Sequence, residues 1–364
     1  MEYRKVMVEK LAADFQEKSL GEALNIVSCI DGEIRENHVR IQIHAIGLNF
    51  ADLLMTTGRY QERPSLPFTP GAEACGIVMG FGSHCTHTAD GIPLKVGAAV
   101  MVAFPSGGAY TEQADVSSDN VFSLPRGWTF TEGAGFVVAA GTAFVALDER
   151  AHVKPDEWVL VSGASGGTGS LAVSIAKAMN ARVIATARGQ EKIEFVQKAL
   201  GADAVLDVTK VDVGSLVNKV KEITGGKGID VAIDTVGGDL MKVCSKCLKW
   251  NSRVIIVGFA GGAISASVPP NVLLVKNASL IGVYWGSYFK NDKEVIHRSS
   301  RLLREFAECG SLKPPKICAI FAIENAAQAL AFMAKGKVIG KVVLTTRYFV
   351  NDSVSGTSRM LSKL

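Results

Sequence analysis

The sequence predicts an α/β protein in which a mostly β domain precedes a doubly wound parallel sheet. Three observations lead there. From Val39 to Pro125 the text is strand-like and punctuated by Gly and Pro; after Gly141 apolar β runs alternate with helical stretches; and one such run enters a helix through a glycine-rich loop. The chain has 364 residues, enough for two domains at ~100–200 residues each.

Taken in order, the first domain carries short β runs at Val39–Ala45, Gly76–Gly80 and Ala99–Ala103. The second carries Trp158–Ser162, Arg182–Ala187, Ala204–Asp207, Asp230–Thr235, Arg253–Gly258 and Ser279–Tyr284, with candidate crossover helices between most of them. Runs this continuously apolar suit strands buried on both faces. Val295–Cys309 and Ala326–Lys335 read as helices, and Lys341–Thr345 as a strand returning to the first domain. The tail from Asn351 is polar and Ser-rich. No fixed-period repeat is visible.

Composition narrows the function classes. Thirty-nine basic and thirty-five acidic residues leave a net charge of +4, too little to predict nucleic-acid binding. No apolar run reaches the ~20 residues that span a bilayer. The start, MEYRKVMVEKLAADF, has no secretory apolar core, so export is not expected. Seven scattered cysteines suit free thiols in a reducing compartment.

The glycine loop points to a ligand. Gly163-Ala164-Ser165-Gly166-Gly167-Thr168-Gly169 follows WVLVS and leads into a helical stretch. Residues without a Cβ let backbone amides reach a pyrophosphate, and the helix N-terminus adds partial positive charge. Gly163 is expected to make the turn, Gly166 and Gly167 the close approach, and Gly169 the helix-to-strand contact. An NAD site carries an acid at the end of the second strand; here stand Thr186, Ala187 and Arg188, with Lys192 a helical turn later. A hydroxyl and two cations favour the 2′-phosphate of NADPH. The alternative is a solvated face in which Arg188 and Lys192 pair with Glu191 or Glu194.

The N-terminal text reads Gly47-Leu48-Asn49-Phe50-Ala51-Asp52, then Gly58-Arg59-Tyr60, then Leu66-Pro67-Phe68-Thr69-Pro70-Gly71-Ala72-Glu73. With GAY at Gly108–Tyr110, AGTAF at Ala140–Phe144, IDTVGG at Ile233–Gly238 and GKVVL at Gly340–Leu344, it resembles the quinone oxidoreductase, or zeta-crystallin-like, branch of the medium-chain dehydrogenases/reductases. The resemblance implies a GroES-like catalytic domain (residues 1–137), a Rossmann NADPH-binding domain (138–284), a return segment completing the first domain (285–350) and a tail (351–364). It further implies reduction of quinones or α,β-unsaturated carbonyls, and homodimers or homotetramers paired through Ser279–Tyr284.

Site roles follow from the same resemblance. Tyr60 matches the catalytic tyrosine of related enoyl thioester reductases, as hydrogen-bond donor to the substrate or as pocket wall. Asn49 matches the asparagine near the nicotinamide, and Asp52 either supports Asn49 or Tyr60 or caps the helix beginning near Ala51. Thr142, Thr235, Val236, Val257, Gly258 and Phe259 are implied cofactor contacts. Trp285 and Tyr288 either wall the substrate pocket or pack in a core or oligomer interface.

A metal is not expected. The catalytic cysteine of zinc-dependent relatives falls in Asn49–Asp52 here and their Gly-His-Glu reads Gly71-Ala72-Glu73, so both Cys and His ligands are missing. Cys244-Ser245-Lys246-Cys247 has metal or redox spacing but no second pair nearby, and His84 and His87 flank Cys85 in a surface-loop setting.

Ser362-Lys363-Leu364 reads as an address for the peroxisomal import receptor, giving peroxisomes or glycosomes as the expected location, and the cytoplasm if it is not read. Two other functions stand beside reductase activity on quinones or enones: an enoyl thioester reductase, and a non-catalytic NADPH-binding structural or RNA-binding protein.

Overall fold

The computed structural model describes residues 2–210, 212–261 and 268–350; the Ser362-Lys363-Leu364 tripeptide lies outside them. Two large sheets organise the chain. The first is built from β3 (His38–Gly47), β4 (Glu73–Phe81), β5 (Ala99–Ala103), β6 (Gln113–Ser117) and β7 (Val121–Ser123), completed by β14 (Ile317–Ala322) and β15 (Lys341–Thr345). Its order is β14-β15-β3-β4-β5-β7, with β6 also on β3. β15 pairs antiparallel with β3, Val343 opposite Gly47, which returns the C-terminal segment to the first domain. A separate hairpin joins β1 (Glu2–Val8) and β2 (Leu24–Ile30).

The second sheet is parallel throughout: β8 (Trp158–Val161), β9 (Arg182–Ala187), β10 (Ala204–Asp207), β11 (Ile229–Asp234), β12 (Leu248–Ile256) and β13 (Ser279–Gly282). Its order, β10-β9-β8-β11-β12-β13, is the doubly wound order with its switch point beside β8. Val159, Leu160 and Val161 are buried because helices cover both faces. One face packs on the helices Val137–Phe144, Gly167–Ala178 and Lys293–Glu308; the other packs on Val213–Ile223 and Asp239–Lys246.

Boundaries differ from the sequence reading in physically legible ways. β12 begins at Leu248, five residues before Arg253, because its first half carries Lys249, Trp250 and Asn251 at exposed or half-exposed positions. β13 ends at Gly282, ahead of the predicted Tyr284, as the chain turns into the short helix Trp285–Ser287. Among the described residues no helix is long and apolar enough to cross a membrane.

Candidate functional site

The glycine loop joins β8 to the helix Gly167–Ala178. Gly163 sits at φ +64°, a conformation that side chains rarely adopt, and a Cβ there would meet Thr235 Oγ1 at 2.7 Å. At Gly169 a Cβ would stand 2.2 Å from the Gly163 carbonyl oxygen, so the helix Gly167–Ala178 can approach β8 only with glycine there. Gly166 is N-cap to that helix and has room for a Cβ. The space beside Gly167 is claimed by the protein itself: its missing Cβ accommodates Lys341 Cδ, 2.6 Å from where it would stand. The Gly167 amide faces the Gly340 carbonyl through the parallel bridge between Gly166 and Gly340, whereas the first-turn amides of Thr168 and Gly169 have no partner one turn earlier and can receive an anion.

The second strand braces this loop. Thr186 is buried and its Oγ1 accepts from the Gly163 amide at 3.2 Å, while the Ala164 amide donates to the Thr186 carbonyl at 3.1 Å. The hydroxyl expected beside the ribose thus holds the turn. Arg188 and Lys192 do not pair with the acids next to them: Glu194 is taken by Gln190 and Lys198. Lys192 Nζ donates to the Gly336 carbonyl, and burial and the neighbouring Arg188 hold its pKa below the ordinary lysine value. Among the described residues neither cation forms an ion pair. Two adjacent cations outside any ion pair can receive an anion.

At the ends of β11 and β12 the backbone is tied down by Asp234, a fully buried carboxylate not singled out from sequence although it lies in IDTVGG. It accepts the Ser162 hydroxyl and the amides of Val236 and Gly237. The Thr235 hydroxyl donates to the Ser162 carbonyl. Val257 and Gly258 donate their amides to the Asp234 carbonyl at 2.9 and 3.3 Å, and with Phe259 they are half-buried. Thr142, also half-buried, lies in the helix Val137–Phe144.

Across the cleft, Asn49 precedes the helix Phe50–Thr56. Its amide is held at both ends: Nδ2 donates to Glu73 Oε1 at 2.9 Å, and Oδ1 accepts from Lys341 Nζ at 2.8 Å. Lys341 Nζ also donates to Glu73 Oε1 and the Leu48 carbonyl, each at 2.7 Å, and Glu73 Oε2 accepts the Val138 amide at 2.8 Å. Both charged side chains are almost completely buried. Sequence reasoning quoted both residues within motifs and gave neither a role.

Asp52 is fully buried and braces Asn49 from behind. Its Oδ2 accepts the Asn49 backbone amide at 2.8 Å and, weakly, the Tyr110 hydroxyl at 3.4 Å, whereas Oδ1 has no partner. Burial drives its pKa up to about 7, against the pull of the Asn49 amide and Lys341. It therefore acts as a support within the helix cap. Tyr60, half-buried, has its pKa raised by burial and by the carboxylates of Glu62 and Asp52. Its aromatic neighbour across the cleft is Tyr284, whose pKa is raised by burial, Glu62 and Tyr60. Trp285 instead packs edge-on against Phe289, ring centroids 4.9 Å apart, and against Gly141; it belongs to the core.

The zinc-ligand positions do not suit zinc. Asn49 Oδ1 and Glu73 Oε1 already hold an ammonium whose charge would repel a dication, and neither Cys nor His stands with them. Cys244 and Cys247 are buried among apolar side chains, and burial pushes the Cys247 thiol up to about 12, a protonated and inert state. No metal-holding group of His, Cys, Asp and Glu occurs among the described residues.

Comparison with known proteins agrees with this geometry. Residues 35–126 match the family described as an alcohol dehydrogenase GroES-like domain, and residues 167–302 that described as a zinc-binding dehydrogenase. A quinone oxidoreductase-like protein 2 homolog of Nematostella vectensis is 38% identical over 312 residues, 85% of this chain and 82% of that one. The quinone oxidoreductase of Homo sapiens is 31% identical over 325 residues, covering 89% and 94%. The Escherichia coli quinone oxidoreductase complexed with NADPH has a TM-score of 0.80 at 27% identity, over 94% of this chain and 99% of that one.

Proposed function

The chain belongs to the quinone oxidoreductase branch of the medium-chain dehydrogenase/reductase superfamily, and from that membership we propose that it is a zinc-independent, NADPH-dependent oxidoreductase acting on quinones or α,β-unsaturated carbonyls. One observation carries the reading: the Ser165 carbonyl in the glycine loop accepts the Gly340 amide at 2.8 Å, and the next residue, Lys341, holds Asn49. A cofactor loop and a reacting domain meet at that peptide.

NADPH, when bound, supplies the hydride. The chain's own groups do the rest. The amides at the start of Gly167–Ala178 receive the pyrophosphate, and Arg188 and Lys192 the 2′-phosphate. Asn49, fixed in orientation, offers one N–H and one lone pair toward the nicotinamide side. Negative charge develops on the substrate carbonyl oxygen during reduction and needs a donor. Tyr60 is suited to that role, because a phenol is protonated at neutral pH and can donate its O–H. Proximity, with reacting carbons held ~3–3.5 Å apart, contributes much of the rate.

The test is the fall in NADPH absorbance with a panel of 1,4-quinones, alkenals and enoyl thioesters, with and without a strong zinc chelator. Turnover of quinones or alkenals, unaffected by chelator, is expected. Turnover of enoyl thioesters alone would move the assignment to that class, and no oxidation of NADPH by any acceptor would leave a binding protein.

Two further parts of the proposal rest on exposed features. Among the described residues β13 has one neighbour, β12, and its other edge is unpaired beside exposed Leu274, Val275 and Leu280, so a second copy is proposed to extend the sheet there. Import into peroxisomes or glycosomes through Ser362-Lys363-Leu364 applies where that tripeptide carries the free carboxylate. A fluorescent fusion with one residue appended after Leu364 should then stay cytosolic.

A further inference from the structure

The pair Glu73 and Lys341 is an unusual expense for a fold this apolar, since removing two charges from water costs more than their attraction commonly returns. Its geometry explains what the pair does. The stem of Lys341 runs past Gly135 and Gly167, where added Cβ atoms would stand 3.2 and 2.6 Å from it. Its ammonium spends three N–H groups on three oxygens: Leu48 O, Asn49 Oδ1 and Glu73 Oε1. An ammonium accepts nothing and a carboxylate donates nothing. Between them the Asn49 amide has one permitted orientation, with Oδ1 toward Lys341 and Nδ2 toward Glu73. With either charge missing, the amide could turn over.

We propose that Lys341 is a positioning residue: clamped on Glu73, its ammonium sets which end of the Asn49 amide serves the nicotinamide half of the cofactor. Through Gly340 and Gly167 the same side chain ties that orientation to the glycine loop. The inference rests on the reading of the cleft as an NADPH site and adds a specific division of labour to it. Lys341 governs the nicotinamide end; the loop amides, Arg188 and Lys192 govern the phosphate end.

The experiment compares two ligands by calorimetry: NADPH, and 2′-phospho-ADP-ribose, which keeps the phosphates and lacks the nicotinamide. The variant is the double substitution Lys341→Met/Glu73→Gln, which removes both charges together and so avoids leaving one buried alone. NADPH affinity is expected to fall about tenfold, with affinity for the fragment unchanged. Asn49→Ala in the parent should produce a similar selective loss, and combining it with the double substitution should add little, because the three residues act as a unit. Equal losses for both ligands would place Lys341 with the loop, and additive losses would separate it from Asn49; either overturns the proposal, as does unchanged NADPH binding. Should the double variant not fold, Lys341→Arg keeps the charge without the three-point ammonium geometry, and the same selective loss is expected. A parent protein that binds neither ligand overturns the NADPH reading itself, a result distinct from all of these.

Discussion

Lys192 Nζ donates to the Gly336 carbonyl at 2.7 Å, so the cation after the second strand of the parallel sheet is moored to the return segment. The point where a Gly336 Cβ would stand lies 3.5 Å from the Arg188 guanidinium. The two cations therefore converge on one place, and like-charge repulsion contributes to the depressed Lys192 pKa. An arriving 2′-phosphate relieves that repulsion. Charge-assisted hydrogen bonds contribute about 1.5–3 kcal/mol each, so Arg188→Ala or Lys192→Ala should weaken NADPH binding about tenfold or more and leave NADH binding nearly unchanged. Fluorescence titration with both coenzymes measures the ratio; equal losses would remove these residues from the phosphate site.

Tyr60 is the group whose substitution separates chemistry from binding. Burial, with Glu62 and Asp52, raises its pKa above the ordinary tyrosine value, and Phe keeps the ring while deleting the donor. Tyr60→Phe should lower kcat for enone reduction about tenfold or more with the NADPH dissociation constant unchanged. Quinones, more easily reduced, should lose less on the same variant. Steady-state kinetics with both acceptors decides; parent-level kcat on enones would make Tyr60 a wall of the pocket.

The parallel sheet was legible from sequence because its central strands are buried on both faces and written as unbroken apolar runs, as in WVLV and RVIATA. β2 was not, since LNIVSCI is interrupted by Asn and Ser; β14, ICAIFA, is an apolar run but lies at a sheet edge with its positions partly buried or exposed, outside the strand-helix alternation that marks the parallel sheet. The glycine loop could be read locally, because turn, amides and helix start lie within a few residues. The pair Glu73 and Lys341 could not. Its members are 268 positions apart, and although Lys341–Thr345 could be read as a strand returning to the first domain, nothing in either motif says that Lys341 lands on Glu73 and Asn49. Trp285 and Tyr284 show the same limit: adjacent aromatics, of which the fold buries one and turns the other toward Tyr60 and Glu62.

Asp52 predicts a pH signature. Its folded pKa of about 7 lies above the ordinary aspartate value because burial disfavours the charge. The native state then holds its proton more tightly than the unfolded chain, so this carboxyl's contribution is fully present below the unfolded pKa and is lost as pH rises toward 7. Asp52→Asn removes the titration and keeps the shape. Relative to the parent, the variant should gain stability between pH 5 and 7, by at most about 1.4 kcal/mol per pH unit. Urea denaturation of both proteins across that range reads the difference, and parallel curves would mean that Asp52 is ionised throughout.

The free edge of β13 yields the last prediction. Ser279 to Gly282 pair with Arg253 to Ile256 on one side, and among the described residues no strand pairs on the other. Leu280 is 40% exposed there, and Leu274 and Val275, in the preceding helix, are 80% and 65% exposed. An unpaired edge flanked by apolar side chains is a template for another strand unless charge protects it, and Leu280 supplies none. A second copy related by a two-fold axis would pair the edge with itself and cover the leucines in one step. Leu280→Lys would place two like charges across that axis and should shift the proposed dimer to monomer at micromolar concentration, while NADPH affinity, for which the glycine loop and the cations after β9 are proposed, stays at the parent value. Light scattering after size exclusion gives the masses; a parent that is already monomeric, or a variant that keeps the parent's mass, removes β13 from the assembly.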